Sequence, residues 1–160
     1  MLVANQEAPF FRSLNQNNQL IYLSDYQDKK NVLLYFYPKD DTPGCTIEAN
    51  EFTTLASAFA DLETEVIGVS KDTCESHRAF IDKFNLNVQL LADTSGAICE
   101  SYNVWQEVEK EGVKKFKIIR STFLIDKSGI LKEVIYGVNP EGHAQAMLEI
   151  IINNATDKVD

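Results

Sequence analysis

A buried strand that leads through a short loop into a helix is the feature that most constrains this chain. Residues 31–37 read Asn-Val-Leu-Leu-Tyr-Phe-Tyr, a run typical of a strand that is buried on both faces. From Ala49 to Leu62, apolar residues recur at the spacing of a helix. Two prolines, two aspartates and a glycine lie between these segments, and they predict a loop. The helix is therefore expected to begin at or near Cys45.

The position of Cys45 raises the question of a reactive thiol. A helix start presents unpaired N–H groups and the positive end of the helix dipole, and both stabilise a thiolate. Thr42 and Thr46 flank the cysteine, and their hydroxyls can bond the sulfur, the helix end or a bound oxygen. The alternative is an inert, buried cysteine, which is the commoner state of a lone cysteine.

Two separated motifs resemble those of the peroxiredoxins and favour the reactive thiol. Pro38-x-x-x-Thr42-x-x-Cys45 is similar to the active-site signature of that family. The fuller run over residues 37–48 resembles its bacterioferritin-comigratory-protein subgroup, also called the Q type. A second motif over residues 120–126 reads Arg-Ser-Thr-Phe-Leu-Ile-Asp. The resemblance covers nearly the whole chain, and the two motifs stand in the order that the family shows.

The resemblance implies an activity and a set of site residues. Cys45 is expected to be the peroxidatic nucleophile, Arg120 to reach it, Thr42 to orient the peroxide, and Pro38 to shield the sulfur. The implied enzyme is a thioredoxin-dependent peroxidase in antioxidant defence. It reduces hydrogen peroxide and organic hydroperoxides through a sulfenic acid, and thioredoxin or another thiol regenerates it. Glu48 stays outside this catalytic set, with helix capping or orientation of Arg120 as its expected roles.

Two other functions remain open on the same fold. A thiol–disulfide oxidoreductase usually needs a Cys-x-x-Cys pair, but Thr42 and Glu48 stand three residues to either side of Cys45. A peroxide sensor or holdase without turnover is compatible with the sequence. Steady-state peroxide consumption with thioredoxin as the reductant would distinguish all three functions.

The thiol that resolves the sulfenic acid is where the sequence departs from the subgroup. Many Q-type members carry a second cysteine five residues after the first, and Asn50 stands there in this chain. We therefore rank an external thiol first, Cys74 second and Cys99 third. Cys74 lies at the start of a predicted helix, and that start is expected at the same sheet edge as Cys45, because helix starts gather at the carboxyl ends of parallel strands. Cys99 is expected to fill the core as a small apolar residue.

Length, charge and cysteine content bound the class of protein. The 160 residues predict a single domain over residues 1–160. The net charge of −9 argues against nucleic acid and anionic membranes as partners. No apolar run approaches the roughly 18 residues of a membrane span, and the first residues do not resemble a secretory signal. Three cysteines without a Cys-x-x-Cys pair fit a reducing compartment, so we expect a cytoplasmic protein. We also expect it to be a monomer or a weak dimer.

No cofactor or metal is expected. His77 and His143 lie far apart in the sequence, without the spacing of metal ligands. Each is predicted to be a surface residue of a helix rather than a ligand.

Alternating strands and helices predict an α/β fold with a mixed central sheet. The pattern does not separate a thioredoxin-like fold from other three-layer folds, but the resemblance implies a thioredoxin-like α/β/α sandwich with an N-terminal β-hairpin. The tail over residues 153–160 is expected to fray. The remaining predicted elements are strands at 31–37, 65–70, 88–92, 122–125 and 130–136, an exposed hairpin at 104–117, helices from 43 to 61, 73 to 85 and 95 to 102, and a last helix from Asn139 that buries Ile152.

Overall fold

Strands and helices alternate along the chain over most of its length. The computed structural model describes residues 1–157. Its strands are β1 (Arg12–Leu14), β2 (Leu20–Tyr22), β3 (Asn31–Phe36), β4 (Thr64–Ser70), β5 (Gln89–Ala92), β6 (Trp105–Lys110), β7 (Val113–Ile118), β8 (Ser121–Ile125) and β9 (Leu131–Tyr136). Its α-helices are α1 (Pro43–Thr54), α2 (Ala56–Asp61), α3 (Cys74–Phe84), α4 (Ala97–Ser101) and α5 (His143–Asp157), and a 3-10 turn spans Leu23–Tyr26.

A five-stranded mixed sheet, in the order β5-β4-β3-β8-β9, forms the centre of the fold. β3 pairs with β4 in parallel, as β4 does with β5. β8 runs antiparallel to β3 and to β9. β1 and β2 form the predicted N-terminal hairpin, and β6 and β7 form the predicted exposed hairpin with its turn at Glu111 and Gly112.

The two faces of β3 show why its sequence is almost entirely apolar. Side chains alternate along a strand, so neighbouring residues face opposite layers. Leu33 and Tyr35, with Tyr37 directly after the strand, pack in the cluster that includes residues of α1, α2, α3 and α5. Val32, Leu34 and Phe36 pack in a second cluster with residues of α4 and the N-terminal segment. The sheet thus lies between two layers, which confirms the predicted sandwich.

The helix predicted over residues 43–61 is wrong as one element, because it is interrupted at Leu55. The Thr54 hydroxyl donates to the carbonyl of Asn50 at 3.0 Å, a local bond that competes with the helix ladder and bends helices. The helix restarts at Ala56 as α2, which packs on β4.

The ends of the last two helices also differ from the sequence prediction. The N-cap of α4 is Gly96 rather than Thr94 or Ser95, although the Ser95 hydroxyl accepts from the N–H of Ala97 at 3.3 Å. The Asp93 carboxylate accepts from the backbone N–H groups of Ile98 and Cys99, at 3.1 and 2.8 Å. α5 begins at His143, rather than at Asn139, and continues to Asp157 through most of the tail that was expected to fray. Residues 158–160 of that tail lie outside the described residues. Ile152 was expected to face inward, but it is 43% exposed.

Among residues 1–157, no helix combines the length and the apolar character that a membrane crossing requires.

Candidate active site

One edge of the sheet gathers three segments that are distant in the sequence. Because β3 and β4 are parallel, the loops that follow both strands leave the sheet at this edge. β8 runs the opposite way, and its first residue, Ser121, pairs with Phe36, the last residue of β3. Arg120, which directly precedes β8, therefore lies beside the loop that leads from β3 to Cys45.

The sequence at the start of α1 places Cys45 in the first helical turn. Thr42 is the N-cap with an extended backbone (φ −103°, ψ 156°), and Pro43 is the first helical residue, where its missing N–H is not needed. Cys45 follows two residues later and is 2% exposed. The Thr42 hydroxyl makes no capping bond and instead donates to the carbonyl of Lys39 at 2.9 Å. Its oxygen keeps the capacity to accept a further hydrogen bond.

The Arg120 guanidinium bridges two side chains of α1. Its Nη2 donates to the Sγ of Cys45 at 3.3 Å, and its Nη1 donates to the Oε1 of Glu48 at 2.8 Å. The carbonyl of Arg120 accepts from the N–H groups of Gly137 and Val138, which fixes its backbone. Since Cys45 and Glu48 are three residues apart on one helix face, a single planar fork of donors reaches both.

Gly44 leaves room for this approach of Arg120. A Cβ atom at position 44 would lie 3.1 Å from the Nη2 of Arg120 and 3.5 Å from the side chain of Pro140. A residue with a Cβ atom would therefore press on the guanidinium that contacts the sulfur, which would have to shift by a few tenths of an ångström.

Glu48 is the most strongly perturbed carboxyl group at this edge. It is fully buried, and its Oε2 has no hydrogen-bond partner within residues 1–157. Burial raises the pKa of Glu48 from 4.5 to about 7, although Arg120 acts in the opposite direction. Burial lowers the pKa of Arg120, but the charges of Glu48 and Cys45 outweigh it and leave that pKa above its ordinary value. The guanidinium thus stays charged beside the sulfur.

Comparisons with known proteins identify the family to which this arrangement belongs. The AhpC/TSA family model matches residues 4–134. Peroxiredoxin Bcp of Bacillus subtilis is 40% identical over 146 residues, which are 91% of this chain and 92% of that protein. The chain belongs to the AhpC/TSA family and is a peroxiredoxin of the Bcp group.

Solved structures agree with this membership. A mutant of PrxQ from Xylella fastidiosa superposes with a TM-score of 0.91 at 30% identity, covering 97% of this chain and 98% of that one. The bacterioferritin comigratory protein of Xanthomonas campestris superposes with a TM-score of 0.86 at 30% identity, covering 91% of this chain and 92% of that one. Its structures, of a trapped intermediate and a ligand complex, concern its alkyl peroxide reduction activity. The fold is therefore thioredoxin-like, and as a peroxiredoxin the protein is a thiol-dependent peroxidase.

The structure brings two of the sequence-predicted residues of this peroxiredoxin, Arg120 and Cys45, into contact, and Thr42 is the N-cap of the helix that carries Cys45. The Arg120 guanidinium contacts the sulfur of Cys45. Asp126, the acidic residue at the end of the same motif, lies 3.5 Å from Lys132. Glu48, which we left outside the catalytic set, bonds Arg120 and so takes the orienting role that the sequence left open. Pro38 lies exposed in the loop after β3.

The three cysteines of this peroxiredoxin are free thiols. Cys74 is half-buried at the first residue of α3, and Asn50 is exposed on α1. Cys99 is fully buried, and burial together with Asp93 raises the pKa of its thiol well above the ordinary value.

Both histidines were predicted to be surface residues, and both predictions are wrong. His77 is fully buried, with its Nδ1 2.8 Å from the Asp40 carboxylate. His143 is 8% exposed and shares a hydrogen bond with the Thr122 hydroxyl, and burial, then Arg120, lowers its pKa to about 4. Helical periodicity is the signal that could have placed His77, since it precedes the buried Phe80 by three residues on the apolar face of α3.

Asp40, Asp72 and His77 are the group of possible metal ligands in the described chain, with ligand atoms within 4.8 Å of one another. Their polar atoms are already engaged with protein partners: both Asp40 oxygens accept hydrogen bonds, and the Asp72 carboxylate accepts from Ser70 and from the Asp40 backbone. The arrangement is that of a protein hydrogen-bond network.

Proposed function

We propose that Cys45 is the residue of this peroxiredoxin that attacks the peroxide. The observation that carries the proposal is the 3.3 Å hydrogen bond from Arg120 to its sulfur, in the first turn of α1. A fixed guanidinium and a helix start both favour the thiolate, which is the nucleophilic form of cysteine. Neither Cys74 nor Cys99 has a comparable cation in hydrogen-bonding contact with its sulfur among residues 1–157.

The reaction is a displacement at the O–O bond. The Cys45 thiolate attacks one peroxide oxygen, a sulfur–oxygen bond forms, and the O–O bond breaks. The sulfur is oxidised to a sulfenic acid, and the second oxygen leaves as hydroxide or alkoxide, which takes a proton to become water or an alcohol. Charge moves from the sulfur to the leaving oxygen during this step. Arg120, which already contacts the sulfur, is the donor that stabilises this shifting charge.

Thr42 and Pro38 complete the proposed site from the loop before α1. The Thr42 hydroxyl donates its proton to Lys39, so its oxygen is left to accept from the O–H group of a peroxide. Pro38 adds an apolar ring without an N–H donor to the loop that precedes the sulfur. Glu48 holds Arg120 in place and does not itself touch the peroxide.

Hydrogen peroxide and organic hydroperoxides are the proposed substrates. The alkyl peroxide reduction activity of the Xanthomonas campestris relative supports the organic substrates for this chain as well. In each case the reacting group is the same O–O bond, which a thiolate attacks.

An external thiol, with thioredoxin as the first candidate, is proposed to reduce the sulfenic acid. Asn50 replaces the second cysteine of α1, and Cys99 is too deeply buried to meet another thiol without unfolding of its surroundings. Cys74 is the internal alternative, because it is half-buried at the start of the neighbouring helix α3. The external thiol forms a mixed disulfide with Cys45 and releases water, and a second thiol frees the enzyme.

The setting proposed for this activity is antioxidant defence in the cytoplasm, by a monomer or weak dimer. Three cysteines without a disulfide suit a reducing compartment, and the charge of −9 disfavours nucleic acid and anionic membranes as partners.

Steady-state peroxide consumption with thioredoxin and its reductase tests the proposal. Cys45→Ser is expected to abolish turnover, whereas Cys74→Ser and Cys99→Ser keep it. Circular dichroism of each variant checks that the fold is retained. Turnover by Cys45→Ser above a trace would refute the assignment. Transfer of disulfides without peroxide consumption would instead indicate a thiol–disulfide oxidoreductase. Oxidation of the protein by peroxide without regeneration of its thiol by thioredoxin would indicate a sensor.

A further inference from the structure

A buried hydrogen-bond network joins the loop before Cys45 to helix α3. The Asp40 carboxylate is at its centre: Oδ1 accepts from the Tyr37 hydroxyl at 2.6 Å, and Oδ2 accepts from the Ser76 hydroxyl at 2.7 Å. The Nδ1 of His77 lies 2.8 Å from the same Oδ2. The backbone N–H of Asp40 donates to Asp72 at 2.9 Å. This network has no part in the chemistry described above, although it is built on the loop that carries Pro38 and Thr42.

The partners of His77 determine its protonation state. Its Nδ1 faces a carboxylate oxygen, and its Nε2 lies 2.8 Å from the carbonyl oxygen of Leu91 on β5. Both are acceptors without a proton of their own at neutral pH, so both ring nitrogens must donate. A neutral ring would leave a nitrogen lone pair against one of these oxygens inside the core. The geometry therefore requires an imidazolium, paired with the Asp40 carboxylate.

This ion pair holds a strained loop. Asp41 has a φ of +59°, in the left-handed region that non-glycine residues adopt rarely. On the solvent side, the Asp41 carboxylate accepts from Lys83 of α3 at 2.7 Å, but both side chains are about half exposed and the pair is therefore weak. The buried contact between Asp40 and His77 is the stronger attachment of the loop to α3.

We propose that His77 is a positioning residue of the peroxidase, which as an imidazolium fastens the loop over residues 38–42 to α3 and β5. The proposal rests on the proposed function, because the loop matters only if Pro38 and Thr42 serve the reaction at Cys45. His77 does not touch the sulfur. It acts through Asp40, two residues before Thr42, and sets where the Thr42 oxygen lies relative to the peroxide. A small misplacement of such a group costs up to about 100-fold in rate.

The contacts of Asp40 depend on its protonation state. Burial favours the neutral form of Asp40, but the hydrogen bond and charge of His77, with bonds from Tyr37 and Ser76, leave the pKa of Asp40 below its ordinary value. A carboxyl with a lowered folded-state pKa contributes stability that is lost as the pH falls through that pKa. A His77 ring with only one N–H group would no longer donate to both Asp40 and Leu91. The His77 ring lies within 3.4 Å of the Tyr37 hydroxyl, the Asp40 carboxylate and the Leu91 carbonyl. Ser76 donates to the same carboxylate. The nearby charged groups are Asp72, Asp41 and Lys83.

Nitrogen-15 NMR of the imidazole rings tests the charge of His77 directly, without any assay of activity. The chain has two histidines, so assignment needs one variant. His143, whose pKa is lowered to about 4, is the internal reference for a neutral ring at pH 7. His77 is expected to show two protonated nitrogens under the same conditions, while His143 shows one. A neutral tautomer of His77 at pH 7 would overturn the proposal, and would leave the assignment of Cys45 untouched.

Two conservative variants test the positioning role. His77→Asn keeps a donor near the place of Nδ1 and can still reach Asp40, whereas His77→Gln keeps one near Nε2 and reaches Leu91 instead. We expect His77→Gln to lose about 10- to 100-fold in the rate of peroxide reduction, and His77→Asn to retain more of it. Asp82→Asn, which removes an exposed ion pair on the same helix, is the matched control and should stay within twofold of the wild type.

The pH dependence of the rate of peroxide reduction distinguishes a positioning role of His77 from a merely structural one. In the wild type, the rate at alkaline pH should fall as the two-proton NMR signature of His77 disappears. In His77→Gln that fall should be absent. If both histidine variants react with peroxide as fast as Asp82→Asn, or if the alkaline fall persists in His77→Gln, the proposal is wrong.

Discussion

At the scale of single residues, the site depends on one guanidinium that serves two groups. Arg120 donates to the sulfur of Cys45 and to the carboxyl of Glu48, and a glycine at position 44 gives it room. Arginine suits this task better than lysine, because its planar fork holds two partners at a fixed angle while its charge is never lost.

Removal of Arg120 should slow the attack on peroxide without unfolding the protein. Arg120→Ala is expected to lower the second-order rate with hydrogen peroxide on the order of 10²–10³-fold, the usual cost of losing one donor to a developing oxyanion. Rapid quenching followed by mass spectrometry of the Cys45 thiol measures this rate. Arg120→Lys, which keeps the charge but not the fork, should fall between alanine and the wild type. A rate for Arg120→Ala within twofold of the wild type would show that the contact has no role in the reaction.

Glu48 should make stability depend on pH near neutrality. Its pKa is raised from 4.5 to about 7, so the folded protein binds more protons than the unfolded chain between these values. The free energy of unfolding should therefore decrease as the pH rises from about 5 to 7, by on the order of 3 kcal/mol for a shift of this size. Urea denaturation at a series of pH values measures the slope. Glu48→Gln should flatten it, and a slope identical to that of the wild type would contradict the assignment.

The residues that the sequence identified differ in kind from those that it missed. Cys45, Thr42, Pro38 and Arg120 stand in motifs of fixed order, so a resemblance was enough to single them out. The burial of His77 depends on contacts with Asp40 and with the Leu91 carbonyl, which lie 37 and 14 residues away in the sequence. Composition treats a lone histidine as a surface residue, whereas the helical periodicity of α3 and its packing against β5 both favour burial.

At the scale of elements, the end of β3 and the residue that follows it provide two tyrosines that are equally buried but unequally bonded. Tyr35 and Tyr37 are each 1% exposed and face the same layer. The Tyr37 hydroxyl donates to Asp40, whereas the Tyr35 hydroxyl has no hydrogen-bond partner among the described residues.

The two hydroxyls should therefore respond oppositely to removal. Tyr37→Phe is expected to lower the free energy of unfolding by about 1.5–3 kcal/mol, because a bond to a charged group is lost in the core. Tyr35→Phe should leave stability unchanged or raise it by up to about 1 kcal/mol, because an unsatisfied polar group is removed. Urea denaturation of both variants checks the contrast. Equal destabilisation by the two substitutions would mean that Tyr35 has a partner of its own.

Element types followed from the sequence more readily than element ends. The apolar run of β3 and the periodicity of α3 define a strand and a helix without tertiary information. The interruption at Leu55 accompanies a bond from the Thr54 hydroxyl to a backbone carbonyl, and the cap of α4 consists of two bonds from backbone N–H groups to the Asp93 carboxylate. Patterns of apolar residues carry no signal for such bonds, so the ends of α1 and α4 could not be placed from the sequence.

At the scale of the whole molecule, the topology of the sheet brings the site together. Arg120 and Cys45 are 75 residues apart, and they meet because the antiparallel β8 starts where β3 ends. α3 follows the parallel neighbour β4, so Cys74 and His77 reach the same edge. One sheet edge thus carries the proposed nucleophile, its cation, the network that fixes the loop, and the internal alternative for the resolving thiol.

Mapping the cysteine that a single equivalent of hydrogen peroxide oxidises tests the central claim most directly. The reaction is run on the fully reduced protein without a reductant, in the presence of a sulfenic acid trap, and each cysteine peptide is then analysed by mass spectrometry. The account predicts the trapped adduct on Cys45, with Cys74 and Cys99 still free. A disulfide between Cys45 and Cys74 would keep Cys45 as the nucleophile but replace the external thiol as its first partner. Oxidation of Cys74 or Cys99 while Cys45 remains a thiol would contradict the account.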